Sequence, residues 1–236
     1  MLLHVLVPSR ILRRELKLTF TEWIAFIFDH PVTDPEWHWD INVDWPELDE
    51  SRLVSYLTLA FDCADIVFQP FSDAQLNQGL NLLVSCSCSD TMHALRNEAV
   101  SLDERLACIH AMESLFRKCF AARCSPHLSH LDEPGVNPLN SVCYMWWDVI
   151  PIHGLSYHMP HRSDSASIDK ACLAVMKGIL EIDSVACQES ALHGLAHWSP
   201  YYPEIKQTVD EFLRQHRNLR RELGRYAQRC RVGAVA

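Results

Sequence analysis

Near the C-terminal end, residues 168–180, 185–198 and 204–216 each repeat apolar side chains with a helical period, and the connectors between them are as short as IDS and SPYYP. A connector of that size reaches at most roughly 18 Å when extended, less than the roughly 20 Å length of a thirteen-residue helix. Chain neighbours must therefore pack antiparallel. In the third segment Ile205, Val209, Phe212 and Leu213 fall at i, i+4, i+7 and i+8, and Pro200 and Pro203 set its entry.

The rest of the chain repeats the same period. Leu53, Leu57, Ala60, Phe61, Ala64 and Phe68 form one stripe, and Leu76, Leu80, Leu83 and Val84 another. Ser72–Gln75 and Ser101–Glu104 read as capping boxes, in which the serine hydroxyl and the side chain three residues on satisfy each other's free amides. From the second box, Leu102, Leu106, Ile109, Phe116 and Phe120 carry a long helix toward Cys124. SPHLSHLDEPGVNP interrupts the period and reads as an ordered loop, NSVCYMWWDVI as a buried helix, and 151–167 as a second loop. No stretch alternates long enough to build a sheet. The expected fold is all-α, an irregular multi-helix array with HEAT-like antiparallel helix pairs toward the C-terminus. A weak boundary at the second loop separates an N-terminal lobe, 1–150, from a C-terminal HEAT-like lobe, 151–236, within one continuous globular unit.

With 236 residues, 48% of them hydrophobic, the chain can bury a sizeable core. The apolar runs at 2–7 and 23–28 fall far short of the roughly 20 residues that span a bilayer. MLLHVLVPSRILRR lacks the basic start and small-residue cleavage site of a secretory signal, so a cytoplasmic protein is expected. The ten cysteines are scattered over helical apolar positions and read as reduced, packed thiols; Cys86 and Cys88 make a C-x-C pair with no second pair at finger spacing. None of the seven glycines falls in a phosphate-cradling pattern, and no cofactor is implied.

Histidine is abundant, at thirteen residues. In ALHGLAHW, His193 and His197 stand four apart on one helical face, the spacing used by zinc hydrolases, but position 194 is glycine where such an enzyme needs a glutamate base. Their place beside the stripe of Val185, Leu192, Leu195 and Ala196 favours packing, with Gly194 admitting a neighbouring helix and Trp198 as an apolar cap. His127, His130, His153, His158 and His161 lie in the two loops and could converge with Cys124 and Cys143, yet no ligand spacing marks a metal site. No nucleophile elbow is present. The expected protein is not an enzyme and holds no metal; a small metal-dependent hydrolase using the loop histidines is the alternative.

Charge is segregated beneath a net −9. Residues 21–50 hold nine acids and no Lys or Arg, whereas 214–231 hold seven arginines against Glu222. Trp23, Trp37, Trp39 and Trp45 are interleaved with the acids. Either these tryptophans fold back onto the core, or they are anchors of a contact surface. The acidic face as a whole reads as a partner surface, assigned to Asp34, Glu36, Trp37, Trp39, Asp40, Asp44 and Trp45. Arg214, Arg217, Arg221 and Arg225 share a face if one helix continues through them. Without interleaved aromatics they read as a solvated terminal helix, or as one paired with the acidic segment, and direct nucleic-acid binding is not expected.

FDHPV, QGLNLLVSCSCSD, RCSPHLSHLDEPGVNPLNSVCYMWWD and DSVACQESALHGLAHW together resemble a family of bacterial all-helical proteins, few of which carry an assigned activity, over most of residues 20–200. Some cytosolic proteins of this kind act as immunity partners of secreted antibacterial toxins, including type VI secretion effectors. The resemblance implies a non-catalytic binding protein that occludes the active site of a cognate toxin with a basic surface, such as a nuclease; from the short apolar runs, no membrane association is expected.

Overall fold

The computed structural model describes residues 18–234, so the reading of the N-terminal fourteen residues lies outside the described residues. Twelve α-helical segments and no strands occur among them: α1 (Phe20–Phe28), α2 (Glu50–Asp62), α3 (Ala64–Val67), α4 (Asp73–Val84), α5 (Leu102–Leu115), α6 (Ala121–Arg123), α7 (Leu139–Val149), α8 (Leu155–His158), α9 (Ser165–Leu180), α10 (Val185–Trp198), α11 (Ile205–Gln215) and α12 (Arg221–Cys230). The all-α expectation is met. None of these helices is long and apolar enough to cross a membrane.

Local chemistry starts the helices where expected. Ser72 with Gln75 and Ser101 with Glu104 form reciprocal capping boxes, and Thr19 with Glu22 forms a third at α1. The long helix after Ser101 is continuous from α5 to α6, but residues Phe116–Phe120 form one π-helical turn. Phe116 and Phe120, at the two ends of this turn, both meet Trp146, with ring centroids 6.2 and 5.8 Å away. The stripe at 53–68 breaks at Cys63, which ends α2 and starts α3.

One apolar core includes Phe28, Leu57, Trp146, Met176, Leu192 and Phe212, residues from both sides of position 150. α10 runs through it. That helix packs most extensively on α7, then on α9 and α12, and less on α11. Twelve of its fourteen residues are buried. It therefore has no solvated face, and the expectation that His193 borders the core is corrected: His193 is 6% exposed and lies inside, while His197 is half-buried at the edge. Gly194 is where α7 crosses α10. A Cβ there would stand 2.4 Å from Trp147 Cβ and 2.9 Å from Met176 Sδ, so glycine sets how closely the helices approach.

A helix buried all round must satisfy its polar side chains internally. Glu189 accepts from the Ser129 amide at 2.8 Å, the His130 amide at 3.0 Å and His130 Nδ1 at 2.5 Å, tying the 125–138 loop to α10. Gln188 donates to the Ile182 carbonyl, and Ser190 to the Cys143 carbonyl. Two ring nitrogens on α10, His193 Nε2 and Trp198 Nε1, are buried without a hydrogen-bond partner among the described residues.

Candidate functional site

Between α1 and α2 the chain follows an irregular path with one short 3-10 turn, Trp37–Trp39. Gln75 and Gln78 on α4 donate to the carbonyls of His30 and Pro31, both at 3.2 Å, and fasten the start of this segment to the helical body. Trp37 lies flat against His30 with ring centroids 3.6 Å apart and stacks on Trp45 at 5.6 Å, while Phe26 meets both tryptophans edge-on at 5.5 Å. His30 is itself held by the Phe26 carbonyl, 2.7 Å from Nε2. His38 turns inward, and burial pulls its pKa below the ordinary value.

The four tryptophans divide between the two alternatives left open by the sequence. Trp23 is a core residue and Trp37 a half-buried support. Trp39 and Trp45 remain 52% and 43% exposed, beside Ile41, which is 97% exposed. Asp34, Asp40 and Asp44 are exposed around them; Glu36 is half-buried and accepts from Trp39 Nε1 at 3.1 Å. Asp40 accepts from the Asn42 amide and side chain at 2.9 and 2.8 Å, which lowers its pKa and keeps the carboxylate charged. The result is a segment that exposes large apolar side chains interspersed along the chain with carboxylates, with Trp45 seated on an aromatic stack. Such a segment can supply desolvated contact area while its carboxylates attract a cationic partner.

The arginine-rich end departs from the single-face arrangement. α11 ends at Gln215 and α12 begins at Arg221, so Arg214 and Arg217 do not share a helix with Arg221 and Arg225. Nor is the terminal helix merely solvated, since it buries Leu223, Tyr226, Ala227 and Cys230. Its ion pairs run from Arg220 to Glu133 and Glu222 and from Arg231 to Asp210, rather than to the acidic segment at 21–50. Arg217, Arg221 and Arg225 help line a shallow groove of about 340 Å³ between α11 and α12.

The loop histidines are distributed. His130 is bound to Glu189 and stacks on Tyr226, with ring centroids 4.0 Å apart. His153 packs against Trp198 and Tyr201, and His158 against Tyr201. Cys143 is buried on α7, and burial pushes its thiol well above the ordinary value. Burial likewise pushes the Cys108, Cys119 and Cys230 thiols up to about 12.

One group of three His, Cys, Asp or Glu side chains suited to hold a metal ion occurs among the described residues, and it contains neither loop histidines nor cysteines. Asp148, His193 and His197 each offer a ligand atom, all within 4.8 Å of one another. His197 Nε2 is 3.7 Å from Asp148 Oδ1, and the two histidine rings are 4.6 Å apart. Sequence reasoning missed Asp148 because it lies 45 positions before His193; the neighbouring Trp147, packed on Gly194, was the only signal of the helix crossing that unites them.

No protein-family model, curated protein or solved structure matches the chain.

Proposed function

We propose that the protein is a non-catalytic binding protein whose contact surface is the acidic aromatic segment at 29–49, and that its partner is a protein with a basic surface. The observation that carries this reading is the exposure of Trp39, Ile41 and Trp45 in a segment whose Asp34, Asp40 and Asp44 are exposed as well. Exposing large aromatics to water is unfavourable, and a surface segment of this kind is a usual place for a partner to dock. Trp37 supports Trp45 by stacking, and Glu36 orients Trp39.

The finer role rests on the sequence resemblance: an immunity protein in the bacterial cytoplasm that neutralises a cognate secreted toxin, delivered by type VI secretion, by covering its active site. A toxin that acts on nucleic acid needs a basic cleft, and carboxylates facing that cleft increase association rate and complementarity. The antiparallel succession of α9, α10 and α11 is the part that a HEAT-like reading describes.

The test is affinity capture from native lysate, with the neighbouring gene's product as the specific candidate, followed by binding kinetics. Changing Asp34, Asp40 and Asp44 to Lys should slow association and flatten its salt dependence. Trp39→Ala or Trp45→Ala should speed dissociation, at a cost of about 2 kcal/mol for a hot spot. Parent-like kinetics in all of these folded variants would place the interface elsewhere.

A further inference from the structure

We propose that Asp148, His193 and His197 form a binding site for a divalent transition-metal ion of the zinc class, where the C-terminal ends of α7 and α10 meet. The donor set is two imidazoles and one carboxylate, which suits zinc, cobalt or nickel better than magnesium or calcium, whose preferred ligands are all oxygen. Ligand atoms around a tetrahedral zinc stand roughly 3.3 Å apart. The three atoms here lie within 4.8 Å of one another, and the Asp148 and His197 side chains are about one-third exposed, with room to close on an ion by small rotations.

His193 is the buried anchor. Its Nδ1 lies 2.8 Å from the Tyr226 hydroxyl, which in turn lies 3.1 Å from the Tyr144 hydroxyl. When Nδ1 donates to Tyr226, the lone pair is left on Nε2, the buried nitrogen with no hydrogen-bond partner among the described residues. A ligating histidine typically has this arrangement, with its second nitrogen fixed by an outer hydrogen-bond partner.

The chain pattern builds the site. Four-residue spacing puts the histidines on one face of α10, and Gly194 between them lets α7 approach until Asp148 joins them. With glycine in place of the glutamate of zinc hydrolases, the site lacks that base and is proposed for binding alone. Solvent can reach the Asp148 and His197 side, leaving a fourth position for water.

The test uses the full chain, freed of metal and kept reduced, titrated calorimetrically with Zn²⁺ and followed by absorption with Co²⁺. One equivalent of Zn²⁺ should bind, and Co²⁺ should give ligand-field bands without a thiolate charge-transfer band. His197→Ala and Asp148→Asn, both at partly exposed positions, should each weaken binding by about tenfold or more, and Tyr226→Phe by about tenfold through loss of the outer hydrogen bond. Changing Cys86 and Cys88 to Ser should leave binding unchanged. The proposal is overturned by absence of binding at micromolar metal, by unaltered affinity in both His197→Ala and Asp148→Asn, or by a thiolate band that disappears with the cysteines. Each outcome is independent of whether the acidic segment binds a partner.

Discussion

A single hydrogen atom decides the position of α7. Replacing Gly194 with Ala would force a methyl group to within 2.4 Å of Trp147 Cβ, on backbone-proximal atoms that cannot rotate away. Overpacking of this kind should cost about 2–3 kcal/mol, measured as a fall in the denaturant midpoint. The close approach was legible in the sequence because glycine stands inside an otherwise regular apolar helix; which residue it admits was not, because that depends on how another helix crosses. Two other residues contribute to the acid response in separate pH ranges. Burial lowers the pKa of His38, so the unfolded chain takes up that proton first, and stability should fall as pH drops through histidine's ordinary value of about 6.5. Asp164 behaves as a depressed carboxylate, held down first by Arg162 and also by Arg105 at 2.6 Å. Its contribution is full above the ordinary aspartate value of about 4 and is lost progressively below it. Unfolding free energy followed from pH 8 to 3 should show both declines. His38→Phe should lessen the first, to which the burial-lowered His153 and His193 also contribute, and Asp164→Asn should cost about 3 kcal/mol at pH 7 by leaving Arg105 buried without its carboxylate.

Within the 29–49 segment, neighbouring tryptophans have opposite roles. Trp37 is clamped between His30 and Trp45 and packs against the core, whereas Trp39, at the other end of the same 3-10 turn, is exposed. Trp37→Ala should therefore lower the melting temperature by several degrees, and Trp39→Ala should leave it nearly unchanged, as scanning calorimetry would show. Equal losses for both would mean that Trp39 is also structural. The acids and aromatics of this segment were legible as a group because no basic residue interrupts them. Their division into inward and outward rings was not, since an irregular segment has no period from which facing can be read. The arginine-rich end shows the same limit: continuing α11 through residue 220 put four arginines on one face, but the chain breaks and α12 turns Tyr226 and Cys230 into the core.

Across the molecule, α10 makes the two halves interdependent. Its most extensive packing partner is α7, before residue 150, and α9, after it, also packs on α5. A fragment of residues 151–236 would expose the face of α10 that carries Ser190 and Gly194, which meet Cys143 and Trp147 of α7, together with the buried carboxylate of Glu189, whose amide donors lie at 129–130. That fragment should show no cooperative thermal transition, while the full chain, strongly helical by circular dichroism, should unfold in one step. A stable, separately melting fragment would mean that the core divides near residue 150.

Helical class, the places of α4, α5, α7, α9, α10 and α11, the Ser72 and Ser101 capping boxes and the special place of Gly194 followed from the sequence alone. These depend on interactions between residues three or four positions apart, and such interactions leave a periodic trace in the chain. The π-helical turn at 116–120, the full burial of α10, the fate of each tryptophan and the meeting of Asp148 with His193 and His197 depend on which helix faces cross and at what distance. Packing between segments distant in the chain settles those questions. It leaves no local period to read, so only the tertiary structure decided them.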